Sequence, residues 1–316
     1  MPFFKYGWGA PYSLLKQIPS DKVIQDILEN LKENPAPIDC ALVYSSRKHI
    51  KSFLQENPEP YYIEKILPKT LLSFILISEN KASLSDSICL SYFTGLKYDS
   101  LLENILKHKE DWFFKSIKFN KPVDLLLLHS PVGLYNGPKN PKADVLCWKL
   151  LTDLKKLGYV KEIGVSNFNI DSLKNILSNS SQTPFVNQIE LHPYLSRVDL
   201  AQYCFQNSII VLAYWVLQLG NPELLNQPVL LKLSKKYHTA VPTVIYQWLI
   251  QRNIVPLVGA LNLSRLKDAE TILFSLTLEE VNQINALNKH KSLRDLWNDS
   301  EFLRSKNLKY IWDWSK

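Results

Sequence analysis

The heptapeptide IDCALVY, Ile38 to Tyr44, sets a carboxylate, Asp39, five residues before a phenol, Tyr44, in an otherwise apolar run. The two are either a satisfied core pair or half of an active site. Along one pleated strand an odd separation points two side chains to opposite faces. A shared site therefore requires the chain to leave the strand between them, with Asp39 near the strand's end and Tyr44 on the loop that follows. Further along, His129, the Ser166 and Asn167 pair, Gln188 and Tyr214 each close an apolar run of strand character. Buried hydroxyls and amides cost free energy unless they are partnered. A set of them at strand ends is therefore suited to gripping a ligand's own donors and acceptors.

The elements that would position these groups alternate in kind. From Asp124 onward, short apolar runs (VDLLLLH, KEIGVSN, FVNQIEL, IIVLAYW, IVPLVGA) are separated by longer amphipathic segments of helical spacing. Gly158 is placed to close the first of those helices, and an Asn or Asp opens the segment NIDSLKNILSNS. Near-continuous apolar strands alternating with helices imply a parallel sheet covered on its faces. The count and length predict an α/β fold, a closed (β/α)8 TIM barrel over residues 1–316. No Gly-rich dinucleotide fingerprint follows any strand, and the chain has only 9 glycines, which makes a Rossmann sheet a poorer account than a closed barrel. In such barrels the site is lined by the C-terminal ends of the strands, which is where Asp39, His129, Ser166, Asn167, Gln188 and Tyr214 fall.

Composition narrows the function classes. With 46% hydrophobic and 21% charged residues, the 316-residue chain has the balance of a soluble globular protein. No apolar run is long enough for a membrane span, and the opening MPFFKYGWGA lacks the pattern of a signal peptide. Cys40, Cys89, Cys147 and Cys204 lie far apart without a CxxC pair, which argues against a metal site or a disulfide framework and for a reducing, cytoplasmic setting. The formal charge of +7 is spread along the chain, with no basic stripe interleaved with aromatics, so no nucleic-acid partner is expected.

The motifs IDCALVY, DLLLLHSP, LKKLGYVKEIGVSNF, VNQIELHPYL, IIVLAY and TVIYQWLIQR occur in the order and spacing of the aldo-keto reductases, and the chain resembles that family over almost its whole length. GVSNF followed by NQIELHPYL is the most specific part. HSP, LFSLTLEEVNQI and SLRDLWN make it most similar to fungal NADPH-dependent α-keto amide and conjugated polyketone reductases. The resemblance implies a tetrad in which Tyr44 protonates a carbonyl oxygen, a lysine lowers the phenol's pKa from its ordinary value near ~10, Asp39 holds the lysine, and His129 orients the substrate. Two lysines compete for the role. Taking SFILIS as strand three, with an enlarged segment at about 45–100, favours Lys81; the FTGLKYDS context favours Lys97.

The resemblance also implies NADPH as cofactor. Gly9, in the opening GWGAP, would lie by the nicotinamide. Ser166, Asn167 and Gln188 would hold its carboxamide, Tyr214 would stack on its ring, and Arg265 would grip the 2′-phosphate through its forked donors. Several positions depart from the family pattern. PLVGA replaces a Lys-Ser pair, Trp215 and Val216 replace Ser-Pro, and Ala269 stands where an asparagine is expected. The expected activity is reduction of aldehydes, ketones or α-dicarbonyl compounds by a monomer acting on small molecules. The alternative is a barrel without turnover, serving as a regulatory or scaffold subunit. The tail 290–316, with Trp297, Trp312 and Trp314, would supply an aromatic wall to the substrate pocket.

Overall fold

A computed structural model of the chain describes residues 7–9, 21–33, 38–39, 50, 52–53, 62–66, 123–131, 139–259, 263–270 and 272–293. Its strands are β1 (Gly7–Gly9), β2 (Ile38–Asp39), β3 (Tyr62–Ile66), β4 (Val123–Leu128), β5 (Val160–Ser166), β6 (Val186–Glu190), β7 (Ile210–Tyr214) and β8 (Ile254–Val258). Each pairs in parallel with its neighbour in sequence, and β8 returns to β1 through Gly7↔Leu257 and Trp8↔Val258, closing a barrel. A parallel strand buried on both faces must be apolar on both, and β4, VDLLLL, is buried at every position. Its alternate residues serve different cores. Leu126 and Leu128 pack outward with the helices, while Leu125 and Leu127 join Val186, Leu212 and Leu257 in a smaller inner cluster.

That period of two builds the mouth of the barrel. Continuing the inner rows by one or two steps leads from Leu127 to His129, from Val186 to Gln188 and Glu190, and from Leu212 to Tyr214. Gly164 underlies Ser166 on β5, and a β-carbon there would lie 2.8 Å from Leu127 Cδ2 and from the Val186 carbonyl oxygen. Only glycine lets β5 approach its neighbours this closely.

The described helices are α1 (Asp21–Glu33), α2 (Pro141–Lys156), α3 (Ile170–Ser178), α4 (Val198–Gln206), α5 (Pro222–Leu225), α6 (Pro228–Lys236), α7 (Val241–Gln251), α8 (Leu263–Glu270) and α9 (Leu278–Asn285). Their ends are set by local chemistry. Asn140 and Asn169 accept hydrogen bonds from the Ala143 and Ser172 amides, and Gly158, at φ +79°, closes α2. PELLNQPVLLKLSKKYH forms two helices, α5 and α6, because Pro228 starts a new one.

One expectation is corrected. The place between β2 and β4 is filled by Tyr62–Ile66, paired on both sides, and not by SFILIS. Glu64 and Lys65 in YIEKI interrupt the kind of apolar run seen in β4. No described helix is long and apolar enough to cross a membrane.

Candidate active site

The polar side chains at the mouth form one hydrogen-bonded set. Asp39 ends β2 in register with Gly9 of β1 and is buried. Its Oδ1 accepts a hydrogen bond from Gln188 Nε2 at 2.9 Å. Strands β2 and β6 are not neighbours in the sheet, so this bond crosses the barrel interior and fixes both side chains at its opening. The Gln188 carbonyl accepts from Ser166 Oγ at 2.9 Å and from the Asn167 amide at 2.8 Å. The β5 terminus is thereby locked to β6.

Asn167 is the hub. Its φ of +67° lies in the left-handed region, which asparagine enters more readily than most residues. This turn aims its side chain back across the strand ends. Nδ2 donates to the His129 carbonyl at 2.7 Å, and Oδ1 accepts from the Tyr214 hydroxyl at 2.8 Å. The Tyr214 ring meets Trp215 edge to face, centroids 5.2 Å apart, as Trp215 leaves β7 at φ +53°. Five strand-end residues from β2, β5, β6 and β7, with the His129 carbonyl after β4, thus converge through side-chain bonds.

Chemically the array offers amide N–H donors, carbonyl and hydroxyl oxygens, an aromatic face and one carboxylate. Ser166 and Gln188 are nine-tenths buried or more. A planar primary amide with its own donors and acceptors matches such a set, so the residues fit the carboxamide of a nicotinamide. Gly9 lies in β1, and Arg265 lies on α8. Tyr44, Lys81 and Lys97, and nearly all of the 45–100 segment and the tail, lie outside the described residues. Among the described residues no cluster of His, Cys, Asp or Glu is arranged to hold a metal ion. Cys147 and Cys204 are buried, and burial pushes both thiols up, Cys204 to about 11.

A second polar cluster beside the first was missed in the sequence. Glu190 ends β6 as the register partner of Tyr214. Its carboxylate meets His192 Nε2 at 3.1 Å, the Leu293 amide at 2.6 Å and the Ser292 hydroxyl. Burial alone would raise its pKa, but the bonds from His192, Ser292 and Leu293 outweigh that and hold it below the usual value. The available signal was a glutamate continuing the inward row Val186, Gln188.

Comparison with known proteins agrees with this architecture. The profile of the aldo/keto reductase family matches residues 5–289, and the chain belongs to that family. It is 30% identical over 279 residues to aldo-keto reductase family 1 member A1 of Cricetulus griseus, covering 80% of this chain and 78% of that one. It is 34% identical over 186 residues to aldose reductase B of Dictyostelium discoideum, covering 53% of this chain and spanning only 60% of that relative's length. Glycerol 2-dehydrogenase (NADP(+)) of Saccharomyces cerevisiae is 37% identical over 146 residues, 46% of each chain. The solved structure of a Bombyx mori aldo-keto reductase in complex with NADP superposes with a TM-score of 0.70 at 23% identity over 94% of both chains, a likeness of fold.

Proposed function

We propose that this protein is a cytoplasmic NADPH-dependent oxidoreductase that reduces aldehydes, ketones or α-dicarbonyl compounds to alcohols. The observation that carries this reading is the bond network joining Asp39, Gln188, Ser166, Asn167 and Tyr214 at the barrel mouth, in a chain of this family. One relative is named for NADP chemistry, and a solved structure of the same fold was determined in complex with NADP; both support the cofactor. The full (β/α)8 alternation in one domain, a monomeric state and kinship with α-keto amide and conjugated polyketone reductases belong to the same proposal.

The chain's own residues divide the work. Ser166, Asn167 and Gln188 hold the carboxamide, Tyr214 and Gly9 bound the ring, and Arg265 takes the 2′-phosphate. NADPH, when bound, supplies the hydride. His129 orients the carbonyl oxygen, and Tyr44 delivers a proton to it as negative charge develops there. Lys81 or Lys97 makes the phenol a stronger acid, with Asp39 as the lysine's counter-charge. Asp39 also fixes Gln188, so one carboxylate ties the proton donor's surroundings to the cofactor's. Tyr62–Ile66 in the place of strand three removes the ground on which Lys81 was favoured over Lys97, and both lysines lie outside the described residues.

The test is a titration with NADPH and NADH that follows tryptophan fluorescence, for which Trp215 beside Tyr214 is a built-in reporter. Saturable binding, tighter for NADPH, is expected. In the Tyr44→Phe variant, NADPH affinity stays within about twofold while turnover falls about 10²–10⁴-fold. A wild-type protein that binds neither nucleotide would return the barrel to the alternative without turnover.

A further inference from the structure

The chain leaving α9 does not run off the wall of the barrel; it is tied, step by step, back toward the mouth. Asn288 Oδ1 accepts from the Ser196 amide, the Lys289 amide donates 2.9 Å to the Tyr194 carbonyl, and the Ser292 hydroxyl and Leu293 amide both donate to Glu190. As the segment advances from 288 to 293, its partners descend from 196 through 194 to 190. It therefore follows the loop after β6 in reverse and ends on the strand. Lys289 secures the middle of the path, its Nζ 3.8 Å from the Tyr194 ring centroid and paired with Glu223 at 2.5 Å.

The endpoint is unusual. Glu190 and His192 are at most 2% exposed, and a buried carboxylate is tolerated only when donors surround it. The donors named are an imidazole N–H, a hydroxyl and a backbone amide. A carboxylate only accepts, so His192 Nε2 carries its proton. His192 Nδ1 is buried and has no hydrogen-bond partner among the described residues. Two of the three donors come from the segment after α9, so the charge is satisfied only while that segment is docked.

We propose that Glu190 is a positioning residue for substrate specificity: by holding Ser292 and Leu293 at the rim beside Tyr214, it fixes one wall of the substrate opening. The role rests on the reductase reading of the mouth. Glu190 stands two residues from Gln188 on the same inward row and pairs in register with Tyr214, so the held segment borders the groups that would bind cofactor. Within the network, Gln188 and Asn167 are held by bonds that do not involve Glu190. Loss of the clasp should therefore disturb substrate fit more than cofactor affinity.

The experiment uses full-length Glu190→Gln, Ser292→Ala and Ser292→Thr proteins, with 4-nitrobenzaldehyde as the carbonyl probe at saturating NADPH. Hydrogen exchange of the 290–293 amides is followed in the nucleotide-free proteins. Glu190→Gln and Ser292→Ala should each raise KM about tenfold, the scale of one lost bond to a charged group, with kcat changed less than threefold. Ser292→Thr, which keeps the hydroxyl, should restore the wild-type KM and the protection of the Leu293 amide. A KM unchanged in variants whose Leu293 amide has lost protection would make the clasp purely structural and overturn the specificity role. A Leu293 amide as protected in Glu190→Gln as in wild type would overturn the clasp itself. A wild-type protein that binds no NADPH would overturn the reductase reading and the specificity role with it, while the exchange pattern still reports on the clasp.

Discussion

The mouth of the barrel and its outer wall both carry buried or half-buried carboxylates, and they satisfy them differently. On the wall, lysines reach in from solvent: Lys236 to Glu280 at 2.6 Å, Lys155 to Glu162 and Lys161 to Asp124, each at 2.7 Å. At the mouth, Glu190 is met among the described residues by an imidazole, a hydroxyl and a backbone N–H, with no lysine. A half-exposed ion pair contributes about 0–1 kcal/mol, because water substitutes for either partner. A desolvated donor or acceptor left unmade costs about 1–3 kcal/mol, because nothing substitutes. The wall is built to tolerate change and the mouth is not, as expected where geometry must be held for a ligand.

The largest effect is expected at the hub. Asn167→Ala removes the donor to the His129 carbonyl and the acceptor of the Tyr214 hydroxyl, and leaves a β-carbon in the left-handed region. Two bonds and the backbone penalty together cost about 2–4 kcal/mol in thermal unfolding. NADPH affinity should fall about 100-fold, equivalent to roughly 2.7 kcal/mol. Asn167→Gly sharpens the point, since glycine accepts φ +67° freely. It should recover part of the stability and none of the affinity. Wild-type affinity in the glycine variant would show that the side chain is no cofactor ligand.

Next comes the floor beneath the mouth. Gly164→Ala sets a β-carbon 2.8 Å from the Val186 carbonyl oxygen, a backbone atom that cannot swing aside. Overpacking of this kind costs about 1–3 kcal/mol. Because Ser166 lies two residues on, the strand shift should also weaken NADPH binding. A melting temperature equal to wild type would mean that β5 has more room than the structure gives it.

How far this contrast was legible in the sequence depends on pattern length. β4 could be read from VDLLLL, and the closures of α2 and the start of α3 from Gly158 and Asn169, because apolar runs and caps are local signals. Asp39, Ser166, Gln188 and Tyr214 stood out as polar residues ending apolar runs, and the structure joins them. The three residues of β1 and two of β2 are too few to show a period. In β3, Glu64 and Lys65 mask it, so SFILIS drew the assignment instead. Glu190 was unreadable as a clasp because Ser292 and Leu293 lie about a hundred residues later. The Thr277 to Glu280 capping box was present as TLEE but was read only as part of a family motif.

On the wall, acidification separates the two kinds of carboxylate. Burial pushes Glu280 up, but hydrogen bonds from Lys236, Tyr237 and the Thr277 amide outweigh it and hold it at about 2. A carboxylate depressed on folding contributes stability that is complete above its unfolded pKa, near ~4.3, and lost as pH falls through the folded value. The melting temperature should drop between about pH 4.5 and 2. Glu280→Gln should flatten that limb without abolishing it, because Glu190, also held low, titrates on the same side. A limb unchanged in Glu280→Gln would place the acid sensitivity at the mouth.

The smallest effect is expected at Lys161→Ala. The Lys161 side chain is 57% exposed and its partner Asp124 only 4%, so the pair sets a solvent-side lysine on a buried carboxylate. If burial alone governed the outcome, removing the lysine should be as harmful as removing a donor at the mouth. Yet Lys161 approaches from solvent, and its departure opens the same path to water, which can solvate the carboxylate it leaves. The loss should therefore stay below about 1 kcal/mol in urea unfolding and shrink further in high salt. A loss of about 2 kcal/mol or more, insensitive to salt, would show that water does not follow. The wall would then be as exacting as the mouth, and the division between them would rest on function rather than on the way each carboxylate is solvated.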